Sequence, residues 1–229
     1  MDTKFVKKMI FIIALVLLSA LFYYYSKLDL IVSGYFYDPT LGFYLKDSLF
    51  ANFVSNSVPI IAMGFAVICT LMLLMRFIVS RSLDPRQYIQ ILYVILVCAI
   101  GPGLIVNTVF KEHFGRARPL QIQEFGGGAK FTPAFVISDQ CHHNCSFVSG
   151  HASIGFVFFA LAFINHGRKR LAYNILALSL GMFFGLGRII RGAHFLSDVI
   201  FSGFAVYLTA YILAALMLPQ QKVRATFLI

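Results

Sequence analysis

Apolar residues fall along this chain in long blocks separated by short polar segments, not at the three-to-four-residue spacing of a half-buried helix. About 20 consecutive apolar residues are needed to cross the hydrocarbon core of a bilayer as a helix. Six blocks approach that length and predict spans over Met9–Tyr25, Val58–Val79, Tyr88–Phe110, Phe147–Ile164, Leu171–Leu186 and Phe195–Leu218. The first resembles a signal peptide, since Lys4, Lys7 and Lys8 precede it. No small-residue cleavage site follows, and Tyr23, Tyr24 and Tyr25 stand where an interfacial aromatic belt belongs, so it reads as a retained anchor. The expected fold is all-α: one polytopic membrane domain over residues 1–229, a six-transmembrane-helix bundle.

Composition agrees with that class. Of 229 residues, 59% are hydrophobic and 12% charged, too little polar surface for a soluble domain. The net charge of +10 raises nucleic-acid binding, but its distribution points elsewhere. The N-terminus, the segment with Arg76, Arg81 and Arg86, the turn Arg168-Lys169-Arg170 and the tail with Lys222 and Arg224 hold the excess, with only Asp2 and Asp84 as acids. An even number of spans puts these segments on one face, which the positive-inside rule makes cytoplasmic, with both termini. No nucleic acid and no obligatory protein partner are expected; the bilayer is.

The opposite face is built from Ser26–Ser57, Lys111–Ser146 and Gly187–His194, and these segments and the adjoining span ends carry nearly all the residues with catalytic potential. Lys111 and Arg118, before Pro119, place two cations at the end of the third span, suited to phosphate oxygens or, equally, to a snorkelling lysine and a basic loop. Ser149-Gly150-His151 opens the fourth span, where a helix N-terminus offers unpaired N–H groups to an anion. Arg188, His194 and Asp198 close the set. His194 and Asp198 are four apart and share a helix face, so Asp198 is expected to accept a hydrogen bond from one ring nitrogen and leave the other to attack.

The order Lys111-x6-Arg118-Pro119, Val148-Ser149-Gly150-His151 and Gly187-Arg188-x5-His194-x3-Asp198 resembles the type-2 phosphatidic acid phosphatase superfamily, related to the vanadium haloperoxidases. Val148 stands where that pattern usually has Pro, and Gly187 where it usually has Ser. Further strings are similar to its lipid A 4′-phosphatase branch: Ile100–Leu104, Asn107, Phe135–Ser138, Gln140-Cys141, Asn144–Val148, His194–Asp198, and Tyr35-Phe36-Tyr37 in the first outer loop. The resemblance implies a hydrolase that removes a phosphate, most specifically the 4′-phosphate, from lipid A at the periplasmic face of a bacterial inner membrane. It implies His194 as nucleophile, His151 as general acid and base, Asp198 as orienting group, and Lys111, Arg118, Arg188, Ser149 and Gly150 as phosphate-binding residues. Three fixed cations take the place of a metal, so neither metal nor cofactor is expected.

Other features have plainer readings. Cys141 and Cys145, on the outer side, predict a local disulfide, and the interleaved His142 and His143 do not complete a zinc pattern. Cys69 and Cys98 read as small core residues. Gly101-Pro102-Gly103 should kink or break the third span, and Gly126-Gly127-Gly128 is a turn. Arg116, Arg191 and Lys130 remain as outer cations for a second substrate phosphate or the membrane surface. Undecaprenyl diphosphate, phosphatidylglycerophosphate and phosphatidate present a phosphate at the same height, so phosphoryl-binding residues alone do not choose among them. A transporter with a polar pathway is the rival outside hydrolysis.

Overall fold

A computed structural model of the chain describes residues 3–79 and 85–219. Asp2, Arg81, Asp84, Lys222 and Arg224, used above to set topology, lie outside them. The elements run α1 (Thr3–Tyr24), α2 (Lys27–Gly34), a hairpin of β1 (Tyr37–Asp38) and β2 (Gly42–Phe43), then α3 (Leu49–Val79). They continue as α4 (Pro85–His113), α5 (Gly150–Phe156), α6 (Phe159–Ile164), α7 (Gly167–Ile189) and α8 (Leu196–Met217).

The protein is an all-α polytopic membrane protein. Among the described residues, the spans Leu49–Met72, Pro85–His113, Gly167–Ile189 and Leu196–Met217 are long and apolar enough to cross a bilayer. Met9–Tyr24 with Lys27–Gly34 makes a fifth if the pair counts as one span, although its two parts meet at 76°. The block expected as the fourth span is a shorter apolar helix pair over Gly150–Ile164, which at 1.5 Å per residue does not cover a core of about 30 Å. Hydropathy located these blocks; it did not reveal that one bends and another is short.

One feature differs from expectation for a physical reason. Gly101-Pro102-Gly103 does not break α4. The helix instead widens into a π form over Ala99–Phe110, which accommodates a proline that has no N–H to give to the turn before it. Asn107 donates to the Pro102 carbonyl at 2.8 Å, so a side chain takes up an acceptor in the widened stretch. The first outer segment forms an ordered hairpin. Tyr37, Phe43 and Phe125 pack ring to ring, and Asp38 accepts from the Thr40 and Leu41 N–H groups to hold the hairpin turn.

α8 sits at the centre, with Phe201, Val206, Tyr207, Ala210 and Ala214 buried. Its far half takes the Tyr93 hydroxyl of α4 on the Ala210 carbonyl at 3.0 Å, while its first turn lies beside Ser149. α4 and α8 therefore run antiparallel. The C-terminal ends of α4 and α7 and the N-terminal ends of α5 and α8 gather at one end of the bundle.

Close packing of α5 on α7 sets that gathering. A Cβ on Gly155 would come within 2.5 Å of the Gly181 nitrogen and the Leu180 carbonyl carbon, so only glycine permits this approach. Gly155→Val should force the helices apart and destabilise the fold by about 1–3 kcal/mol. Thermal unfolding in detergent should show the melting temperature falling by several degrees; an unchanged midpoint would show that the helices yield without cost.

Candidate active site

Lys111 forms the last turn of α4 and is buried. Its Nζ donates to Asn144 Oδ1 at 3.1 Å. Arg118 is extended, as the residue before a proline is biased to be, and its N–H is taken by the Gln121 side chain at 2.9 Å. Its guanidinium donates to the Asn144 carbonyl at 2.8 Å. The two cations thus meet at one residue. Asn144 lies in a short loop closed by the Cys141–Cys145 disulfide, and its backbone N–H donates to Glu112. The disulfide expected from the sequence is present, and it braces this contact.

Ser149 is the N-cap of α5, its hydroxyl accepting from the Ala152 N–H at 3.4 Å, while its own N–H donates to the Asp198 carbonyl at 3.0 Å. The oxygen caps the helix and the N–H is taken by Asp198, while the hydroxyl keeps a proton that it can still donate. Gly150 remains as the candidate backbone contact. A Cβ there would fall 2.6 Å from Asn107 Oδ1 and 3.5 Å from Lys111 Nζ, so the missing side chain is what lets this turn meet α4. His151 is half-buried, with its ring near the Ser55 backbone of α3.

Ser55 is also where Arg188 arrives, Nη1 donating to its hydroxyl at 2.9 Å. The Arg188 Nε is buried without a partner, a costly arrangement for a guanidinium that an anion would relieve. Arg191 donates to the same Ser55 hydroxyl at 2.9 Å and to Asn52 at 3.2 Å. It is half-buried and engaged with α3 instead of standing free for a headgroup. Gly187 explains one departure from the family pattern. A Cβ there would meet Val54 at 2.7 Å, so the usual serine does not fit without moving α3.

His194 lies buried in the turn before α8. Its Nδ1 is 2.8 Å from the Ser146 carbonyl and 3.6 Å from Asp198 Oδ2. A carbonyl only accepts, so Nδ1 carries the proton and Nε2 the lone pair. The direct hydrogen bond to Asp198 expected from the four-residue spacing is replaced by one to Ser146. Asp198 stands next to it, accepting from Ser146 Oγ at 2.5 Å, the Phe195 N–H at 2.8 Å and Arg116 at 2.6 Å. Nε2 is buried with no partner. Burial pushes His194 down to about 3, with Lys111 and Arg188 adding to the effect and Asp198 opposing it, so the ring is neutral at physiological pH. The charges of Lys111, Arg118 and Arg188 act on one another, and all three act on His151. The structure therefore brings Lys111, Arg118, His151, Arg188, His194 and Asp198 into one polar cluster. Arg116 is not on its surface: it is 1% exposed, paired with Asp29 and Asp198, and unavailable to a headgroup. Among the described residues, no three His, Cys, Asp or Glu side chains are grouped as metal ligands would be.

Residues 88–222 match the family model described as the PAP2 superfamily. The chain belongs to the PAP2 superfamily. This PAP2 protein is 39% identical over 207 residues to the lipid A 4′-phosphatase of Francisella tularensis subsp. novicida, covering 88% of this chain and 91% of that one. It is 41% identical over 125 residues to the lipid A 4′-phosphatase of Rhizobium leguminosarum, covering 53% of this chain and 52% of the relative. Over 139 residues it is 34% identical to the lipid A 1-phosphatase of Rhizobium etli, 56% of each chain being covered. No solved structure matches the chain significantly.

In this PAP2 protein the residues that sequence reasoning missed are those that hold the cluster. Asn144, Ser55 and Ser146 contact Lys111, Arg118, Arg188 and His194, and Asp29 reaches Arg116 from α2. Asn144 lay inside a string that resembles the lipid A branch; Ser55 carried no signal. A cavity of about 380 Å³ adjoins the cluster, lined by Ile61 and Phe65 of α3, Val94, Pro102 and Asn107 of α4, and Leu161 of α6.

The state of His194 has a consequence for stability. Its ordinary value near 6.5 applies in the unfolded chain and about 3 in the folded one, so the unfolded state binds more protons between them. Its contribution is fully present above pH 6.5 and is lost as pH falls toward 3. Thermal unfolding of His194→Gln in detergent should therefore lose less stability between pH 7 and 4.5 than the parent does. Identical slopes would mean that His194 titrates in the folded protein as it does in the unfolded chain.

Proposed function

We propose that this protein is a phosphomonoester hydrolase that removes the 4′-phosphate of lipid A through a phosphohistidine on His194. The reading is carried by the neutral His194, whose buried Nε2 has no partner and on whose ring the charges of Lys111 and Arg188 act. Similarity to a lipid A 4′-phosphatase over nearly the whole of both chains supports the substrate.

Lys111, Arg118 and Arg188 hold the phosphate, with the Gly150 N–H as a further donor, and offset charge as it builds on the equatorial oxygens. The Nε2 lone pair attacks phosphorus, the P–O bond to the sugar breaks, and His151, which holds a proton once the bound phosphate offsets the cations around it, gives that proton to the departing oxygen. His151 then takes a proton from water, whose oxygen attacks phosphorus and breaks the P–N bond, releasing inorganic phosphate. Asp198, beside Nδ1, stabilises the positive ring of the phosphohistidine. Three cations supply the charge that a divalent metal supplies elsewhere, so the reaction proceeds without one.

The chain works as one domain, spanning the inner membrane with both termini cytoplasmic, Gly150–Ile164 as a short crossing and the active site periplasmic. The basic turn Arg168-Lys169-Arg170, at the bundle end opposite His194, supports this orientation. The cavity against Asn107 takes an acyl chain, since its lining is apolar and reaches from α3 to the Gly150 turn.

Mass spectrometry of lipid A from cells with and without the protein should show loss of one phosphate from the distal sugar. An unchanged profile, with release from undecaprenyl diphosphate or phosphatidate by the purified enzyme, would overturn the substrate. His194→Ala should insert normally and lose activity by at least about 10³-fold, while EDTA leaves the parent unaffected. Ala62→Phe, which fills the cavity, should raise KM for a long-chain lipid phosphate about ten-fold and leave a short-chain soluble phosphate unaffected. Equal losses on both substrates would place the acyl chain elsewhere.

A further inference from the structure

The largest fully buried side chain in the bundle is Arg116, which the chemistry above leaves unused. Every nitrogen of its guanidinium is engaged. Nε donates to the Thr132 carbonyl at 2.8 Å, Nη1 to Asp198 Oδ1 at 2.6 Å and Ser197 Oγ at 2.8 Å, and Nη2 to Asp29 Oδ2 at 2.8 Å. The plane lies over the Phe195 ring, 4.3 Å from its centroid. Asp29 is itself buried and reaches past Arg116 to α8, accepting from the Ser197 N–H at 2.9 Å and the Ser197 hydroxyl at 2.5 Å.

Two carboxylates on one guanidinium in an apolar bundle are expensive, and a stabilising role alone would be met better by packed hydrocarbon. What the arrangement achieves is orientation. Arg116 occupies Oδ1 of Asp198, and Ser146 and the Phe195 N–H occupy Oδ2, so the carboxylate cannot turn away from His194 Nδ1. Asp29 in turn balances Arg116. Without it, the guanidinium would face a single anion and draw off the charge that Asp198 offers to the developing imidazolium. Asp29 also lies outside residues 88–222, the part matched by the family model, so this second anchor comes from the chain's own N-terminal region.

We propose that Arg116 and Asp29 are positioning residues for phosphoryl transfer, acting through Asp198 on His194. This rests on His194 as the nucleophile. The fork is essential to the role: lysine keeps the charge but cannot grip both carboxylates at once.

The test is single-turnover phosphorylation of His194 by a labelled lipid phosphate in detergent, with KM and thermal stability measured on the same samples. In Asp29→Asn, which keeps an acceptor for the Ser197 N–H, the rate of His194 labelling should fall about 10- to 100-fold with KM unchanged. Arg116→Lys should fall similarly. Arg116→Gln leaves two buried carboxylates unpaired and is vulnerable to misfolding. The pair Arg116→Gln with Asp29→Asn removes one charge of each sign and should fold while labelling slowly. Labelling at the parent rate in a folded Asp29→Asn or double variant would overturn the proposal, as would a loss that merely tracks the folded fraction. If the parent itself is never labelled at His194, the nucleophile assignment falls and this inference with it; normal parent labelling with fast variants removes the inference alone.

Discussion

A carboxylate at the head of a membrane helix cannot remain charged without partners, and Asp198 collects its partners from across the chain. Arg116 comes from the segment after α4, Ser146 from the turn before α5, and the Phe195 N–H from its own helix cap. Its backbone carbonyl accepts from Ser149, which opens α5. Satisfying one buried charge therefore fixes the mutual placement of the segments that carry Arg118, His151 and His194. The site is a consequence of that requirement as much as of helix packing.

The same requirement separates two kinds of cation. Arg116 is saturated by anions and belongs to the scaffold. Lys111, Arg118 and Arg188 are held by neutral oxygens instead, those of Asn144 and Ser55. Neutral acceptors orient a cation without cancelling its charge, so three positive charges, offset only in part by Asp198 and Glu112, stand together around the histidines. Such a cluster repels itself and depresses His194. Both effects are relieved by an incoming phosphate dianion, which makes binding and activation parts of one electrostatic event.

How much of this was legible in the sequence depended on whether the signal was local. Hydropathy blocks and the spacing of Lys111, Arg118, Arg188, His194 and Asp198 are local, and they gave the helices and the cluster. The pairing of Cys141 with Cys145 is local too, and is present. Arg116 and Arg118 are two residues apart with the same charge, and no sequence rule says which one faces inward; that choice is made by Asp29, distant in the chain. Ser149 carries the family motif and its oxygen also caps α5, because capping and anion binding ask for the same residue type. The 76° bend between α1 and α2 was hidden because hydropathy measures burial in lipid, not direction.

The N-terminal part of the chain is more than an anchor. The family model begins at residue 88, but Ser55 of α3 receives Arg188 and Arg191, and Asp29 of α2 secures Arg116. Ile61 and Phe65 of α3 form one wall of the apolar cavity. Phosphoryl chemistry common to a family can reside in α4 to α8, whose charged motif residues touch only what all its substrates share. Ser55 and Asp29, outside the part that the family model matches, bond directly to charged residues of that part. A change in α2 or α3 would therefore reach the histidines through one or two hydrogen bonds.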